Sequence, residues 1–382
     1  MRAAAVSTGV LLLALAAFAA GAATGSAIGT WRKLPPAPAP AATSDATAAW
    51  TGKELIVFGR RQTNPPWSAD VAAAYDPEHA TWRALHPFPG PKGNYEGGYR
   101  AFWTGTAVLV LGPFDFQAYD PRTDVWRRLP LRAGASTTGI TTWTGHELIV
   151  WGGGCCGDAS SAGFAYDVGA GRWTKLPRSP LAPSQGPVGV WDGKNVIVLV
   201  SGRDPDGRPY PPGLARAAAF NPSNGSWTRI PPPPAARPGA VGIWTGNEVL
   251  LVGGSNGRTT ARTGFAYDPI RRAWRTLPPS PIRNPGFAAV WGAGRLLVWG
   301  GAGNEVGAEY VTAAGRWFTL RPAPIRPRSD PAAVWTGTTL IVWGGRGATD
   351  GASFGLETVM HPAAGLAPTP RGASSRAAQD PR

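Results

Sequence analysis

Short hydrophobic runs alternate along this chain with turns marked by glycine and proline. One arrangement recurs seven times: a tryptophan, a tight turn, then a hydrophobic run. The turns are Trp50-Thr51-Gly52, Trp103-Thr104-Gly105, Trp143-Thr144-Gly145, Trp191-Asp192-Gly193, Trp244-Thr245-Gly246, Trp291-Gly292-Ala293 and Trp335-Thr336-Gly337. Five residues beyond each tryptophan stands Leu55, Val108, Leu148, Val196, Val249, Leu296 or Leu340. The offset never changes, as expected where a hairpin turn fixes strand register. Most runs end nine residues after the tryptophan in a glycine, doubled at Gly152-Gly153, Gly253-Gly254, Gly300-Gly301 and Gly344-Gly345.

A second spacing follows downstream. An aromatic residue precedes another tryptophan by seven positions in Tyr75/Trp82, Tyr119/Trp126, Tyr166/Trp173, Phe220/Trp227, Tyr267/Trp274 and Tyr310/Trp317. Asp-Pro or Asn-Pro usually follows the aromatic. The Asp or Asn side chain caps its own backbone there and proline fixes φ. The tryptophan strand closes at Leu-Pro or Ile-Pro, as at Leu129-Pro130 and Ile230-Pro231. Each unit therefore reads as four short antiparallel strands, and the units lie 40 to 53 residues apart.

These residues resemble the kelch repeat, which pairs a hydrophobic run and a Gly-Gly doublet with a downstream Tyr and Trp. The resemblance covers about residues 31 to 361. It implies an all-β, kelch-type β-propeller of galactose-oxidase-like architecture, with radial four-stranded blades. Seven first landmarks give seven blades. The seventh unit lacks a following tryptophan strand, while Trp31-Arg32-Lys33-Leu34-Pro35 has no unit before it. The count closes if the segment around Trp31 supplies the outer strand of the last blade, pairing near Thr358 to His361. Such a clasp removes an exposed sheet edge.

Composition agrees. Gly 52 and Pro 40 in 382 residues disfavour a helical protein, and Trp 18 excludes a disordered one. The organisation expected is a signal peptide over 1–22, one seven-bladed propeller over 23–361 and a disordered tail over 362–382. Val6 to Ala20 is apolar, and Ala20-Gly21-Ala22 is a small-x-small cleavage site, so the chain reads as exported, secreted or cell-surface. The alternative is a membrane anchor over residues 4–24. The formal charge is +14, from 37 basic residues of which all but five are Arg. They are scattered rather than clustered, which fits drift in composition and argues against a nucleic-acid partner. The cysteines, Cys155 and Cys156, are adjacent. They read as a vicinal disulfide in an oxidising compartment and are poorly spaced for a metal.

Strand alternation sends the short, repetitive turns to one face and the variable loops to the other. Function concentrates on variable loops carried by a rigid scaffold. The candidate ligand-binding residues there are Tyr95, Glu96, Tyr99, Arg100, Arg132, Arg178, Arg237, Arg283, Arg328 and Asp330. Arg237 and Arg328 each stand seven residues before a landmark tryptophan, which places them by the channel mouth. Bidentate Arg contacts suit a carboxylate there. The competing reading is an Arg stem packed on tryptophan with a hydrated head. The sequence thus reads as a binding module for a protein or an anionic or glycan ligand. The alternative is a sialidase- or sialate-epimerase-like enzyme at the channel mouth. No catalytic residue, metal or cofactor is assigned. Galactose oxidases hold copper with two His and two Tyr, whereas His79, His86, His146 and His361 fall on separate turns and loops.

Overall fold

The structure is a computed structural model. It describes residues 29–37, 47–60, 70–86, 98–135, 137–154, 158–200, 216–235, 237–255, 259–283, 286–301 and 307–356. Every regular element among them is a β-strand. The strands form seven four-stranded sheets. Six are simple meanders, spanning residues 47–84, 100–128, 140–175, 188–230, 240–276 and 287–319, and are blades 1 to 6 in that order. Blade 7 takes three strands from 332–356 and its outer strand from Gly29–Lys33 at the other end of the chain. Innermost strands of neighbouring blades touch, that of blade 1 meeting those of blades 2 and 7.

The sequence spacings become cross-strand pairs. Trp50 sits opposite Leu55, and Tyr75 lies between Leu55 and Trp82. The same registers recur in later blades. In the turn between first and second strands, Thr51 accepts the Glu54 backbone N–H at 2.9 Å, and Gly52 takes a φ of +91°. A hydroxyl cap followed by glycine therefore locks the five-residue offset.

The clasp forms with a partner other than the one expected. Trp31 pairs with Phe354, in the strand Gly351–Leu356, rather than near Thr358 to His361, residues that lie outside the described ones. Phe354 occupies the place that Tyr75 fills in blade 1, opposite both Leu340 and Trp31. It is the seventh third-strand aromatic.

The core consists of seven clusters, each spanning one blade interface. The tryptophans make this packing. Trp343 of blade 7 meets Trp82 of blade 1 with centroids 4.4 Å apart, and Phe58 of blade 1 meets Trp126 of blade 2 at 5.4 Å. Trp151 and Trp227 join blades 3 and 4, and Trp299 and Trp31 join blades 6 and 7. Each outer-strand tryptophan also donates its indole N–H to a carbonyl just past the outer strand of the preceding blade. The acceptors are Pro35, His86, Pro130, Pro177, Pro231, Pro278 and Arg321, at 2.6 to 3.1 Å. Each such bond contributes about 1 kcal/mol net. Together they latch all seven interfaces.

The glycine doublet explains how loops sit over this ring. Gly253 and Gly254 take φ of +70° and +71°. A Cβ on Gly254 would lie 2.8 Å from the Pro238 carbonyl oxygen and 3.0 Å from that of Arg237. Only glycine lets the second strand leave beneath the loop that enters the blade.

Candidate functional site

Connections between second and third strands, and between blades, leave from one end of the ring, the loop face. The hairpin turns leave from the other, the turn face. The sequence-predicted residues divide into three groups.

Tyr95, Glu96, Cys155 and Cys156 lie outside the described residues. Three others are packed into the fold. Tyr99 is 3% exposed and belongs to the core between blades 1 and 2, with Ile56 and Phe58. It is a core residue and presents no binding surface, because Gly112 leaves room for its ring. Arg237 is 7% exposed, lies 4.8 Å over the Phe265 ring and donates to Thr263 Oγ1 at 3.1 Å. Burial pushes its guanidinium below the ordinary Arg range. Arg328 pairs with Asp350, donates through Nε to the Arg326 carbonyl at 2.8 Å and lies over Trp299. The stem-on-aromatic reading describes both, but their heads are engaged by the protein rather than hydrated. A channel-mouth anion site built on Arg237 and Arg328 gains no support from this arrangement.

The rest stay at the surface. Arg100 donates to the Tyr99 carbonyl at 3.1 Å, and Arg132 lies 5.1 Å over Phe164. Arg283 and Asp330 are exposed, and the Asp330 backbone N–H ties its loop to Gly286 at 2.7 Å. Arg178 lines an open concavity of about 900 Å³ between blades 3 and 4. Its walls are Pro180, Leu181, Pro183, Trp227 and Arg229. Arg229 donates to the Pro180 carbonyl at 3.0 Å, whereas Arg178 has no hydrogen-bond partner among the described residues. Sequence reasoning missed Arg229. Its signal was its place two residues after an outer-strand tryptophan. Phe114 and Leu131 extend the register of the third and outer strands of blade 2 onto this face, and both are exposed.

On the turn face, Asp76, Glu78 and His79 bring donor atoms within 4.8 Å. Asp76 accepts the Glu78 backbone N–H at 2.9 Å and pairs with His79 Nδ1 at 2.9 Å, which holds its carboxyl below the usual range. Asp120 and Asp268 cap the same turn in blades 2 and 5, so this is turn chemistry. His86 pairs with Asp124 at 2.7 Å, across the interface of blades 1 and 2. His146 lies in the first hairpin turn of blade 3, so the three described histidines are not brought together.

A repeat ion pair stiffens some blades. Arg83 holds Glu54 through two bonds of 2.9 Å, and Arg275 holds Glu248 through bonds of 2.9 and 2.6 Å. Blade 3 keeps the acid as Glu147 but has Thr174 at the arginine position. Burial, with Asp167 nearby, raises the Glu147 pKa. The folded chain thus holds this proton more tightly than the unfolded chain does. Glu147 costs stability as pH rises above about 4.3, the free-glutamate value. Thr174→Arg is expected to add about 0.5 kcal/mol at neutral pH, a gain that disappears near about pH 3. Thermal melts of both proteins across that range check it, and a gain independent of pH would contradict the pairing.

The Kelch motif matches residues 237–281, which is blade 5 from the residues ahead of its inner strand to just beyond its outer strand. No curated protein matches the chain. With seven meander blades sharing the same landmarks, the chain is a seven-bladed β-propeller that carries a kelch motif in blade 5. A propeller with a kelch motif suggests a protein-interaction module.

Proposed function

We propose that this propeller is an exported module that binds an acidic protein partner through its loop face, centred on the concavity between blades 3 and 4. The observation that carries the reading is Arg178. It is a cation without a hydrogen-bond partner among the described residues, beside Trp227, Arg229 and a proline-lined wall in a cavity of about 900 Å³. Aromatic and Arg side chains are the usual energetic anchors of interfaces. Exposed Phe114 and Leu131 supply apolar contact on the same face. Export is supported by the apolar run Val6 to Ala20 and the small-residue site Ala20-Gly21-Ala22 that follows it.

A photo-crosslinking residue at position 178 tests the surface against one at Ile270, which is 91% exposed on the turn face. Adducts with a discrete protein are expected from position 178 and not from 270. Affinity for that purified protein should fall at least tenfold with Arg178→Glu, in line with loss of a charged interface contact. Equal crosslinking from both faces, or no adduct from 178, would overturn the assignment.

A further inference from the structure

The crevices between blades on the turn face repeat the same wall positions, and blades 2 and 7 keep the arginine, as Arg127 and Arg32, with Ala107 and Thr339 in place of the acid. In blade 1 the Arg83 side chain crosses Ala74 to reach Glu54; in blade 5 Arg275 crosses Ala266 to reach Glu248. The strand registers put Arg32, Ser353 and Thr339 at these three places in blade 7. Threonine is neutral and short. Arg32 consequently has no ion-pair partner among the described residues.

The crevice beside it, between blades 7 and 1, holds about 730 Å³, against about 440 Å³ for its counterpart between blades 1 and 2. Lys33 and Lys53 join Arg32 on its lining, with Glu78 as its acid. The chain has five lysines, so two of them standing here is a local concentration of charge. Thr336, Thr338 and Ser353 add hydroxyls, and Trp50 and Tyr75 add aromatic surface.

We propose that this crevice binds an acidic sugar, whose carboxylate occupies the position beside Arg32 that Glu54 and Glu248 fill in their own blades. A guanidinium fork matches a carboxylate with two parallel bonds. Hydroxyl side chains match the ring hydroxyls, and the aromatic walls match the apolar face of a pyranose. This site lies on the face opposite the protein-binding surface and stands independently of it.

Isothermal titration with trigalacturonate tests the assignment, with neutral galactotriose and a tri-glutamate peptide as the comparison probes. Trigalacturonate is expected to bind, and the neutral sugar not to. Thr339→Glu supplies the chain's own carboxylate to Arg32, and should weaken trigalacturonate at least tenfold while leaving the melting temperature unchanged or higher. Arg32→Gln should weaken it to a similar degree. The proposal is overturned if trigalacturonate fails to bind, if galactotriose binds as well, or if Thr339→Glu retains full affinity. Tighter binding of tri-glutamate would make this an acidic-peptide site and would equally reject the sugar.

Discussion

Deleting Gly29–Lys33 is expected to abolish cooperative unfolding of the whole ring. That strand is one-quarter of blade 7 and its outer edge. Trp31 within it stacks against Phe354 at 5.0 Å and Trp299 at 6.1 Å, and donates to the Arg321 carbonyl at 2.9 Å. Losing the Trp31 side chain alone costs about 3 kcal/mol on the scale of aromatic truncations in cores. Losing the strand also removes its ladder bonds and opens the edge of Gly351–Leu356. A typical domain is stable by only about 5–15 kcal/mol, so the deletion consumes most of the margin. The freed edge should then pair between molecules. Circular dichroism melts should show a broad, early transition, and size exclusion should show oligomers. A peptide spanning residues 29–36 should restore the sharp melt. Unchanged melting of the deletion protein would refute the clasp as a structural closure.

The clasp also shows where the sequence was legible. Offsets fixed by tight turns, five residues across the first hairpin and seven across the outer one, mapped directly onto cross-strand pairs such as Trp50–Leu55 and Tyr75–Trp82. Phe354 escaped that rule for a physical reason. Its partner Trp31 lies at the other end of the chain, so no hairpin fixes a spacing between them. The second-to-third-strand connection varies in length and could not supply one. The pairing was therefore placed several residues too late.

Site residues were less legible because repeat position does not determine where a long side chain ends. Arg237 and Arg328 share one position ahead of the inner strand. Whether either head meets solvent depends on Phe265, Thr263, Trp299 and Asp350, which only the folded ring brings near. The Glu54–Arg83 pair is different. Its members stand at fixed offsets from landmark tryptophans, so its loss at Thr174 and Thr339 is written in the sequence. What the sequence lacked was the register showing that these two positions meet across the third strand.

Blade 6 puts a cation in the acid's place and an acid on its third strand, and this pair yields the second large effect. Arg295 stands where blade 1 has Glu54, and Glu309 stands where other blades have Ala74, Ala118, Ala165, Ala219 and Ala266. The Glu309 side chain is fully buried, and Arg295 Nη1 donates to it at 3.0 Å. Arg295→Met removes the cation and leaves the carboxylate in the core. Breaking a buried pair from one side costs about 3–5 kcal/mol, because the buried carboxylate loses its cation. For a domain this large that is a loss on the order of 10 °C in melting temperature. Adding Glu309→Ala restores the residue of blades 1 to 5 and removes the buried carboxylate. The double variant should therefore recover most of the loss, with a coupling energy of at least about 2 kcal/mol in the cycle. Denaturant unfolding of the four proteins measures it. If Arg295→Met costs under about 1 kcal/mol, or the double variant is no better than the single, the carboxylate is stabilised by groups other than Arg295.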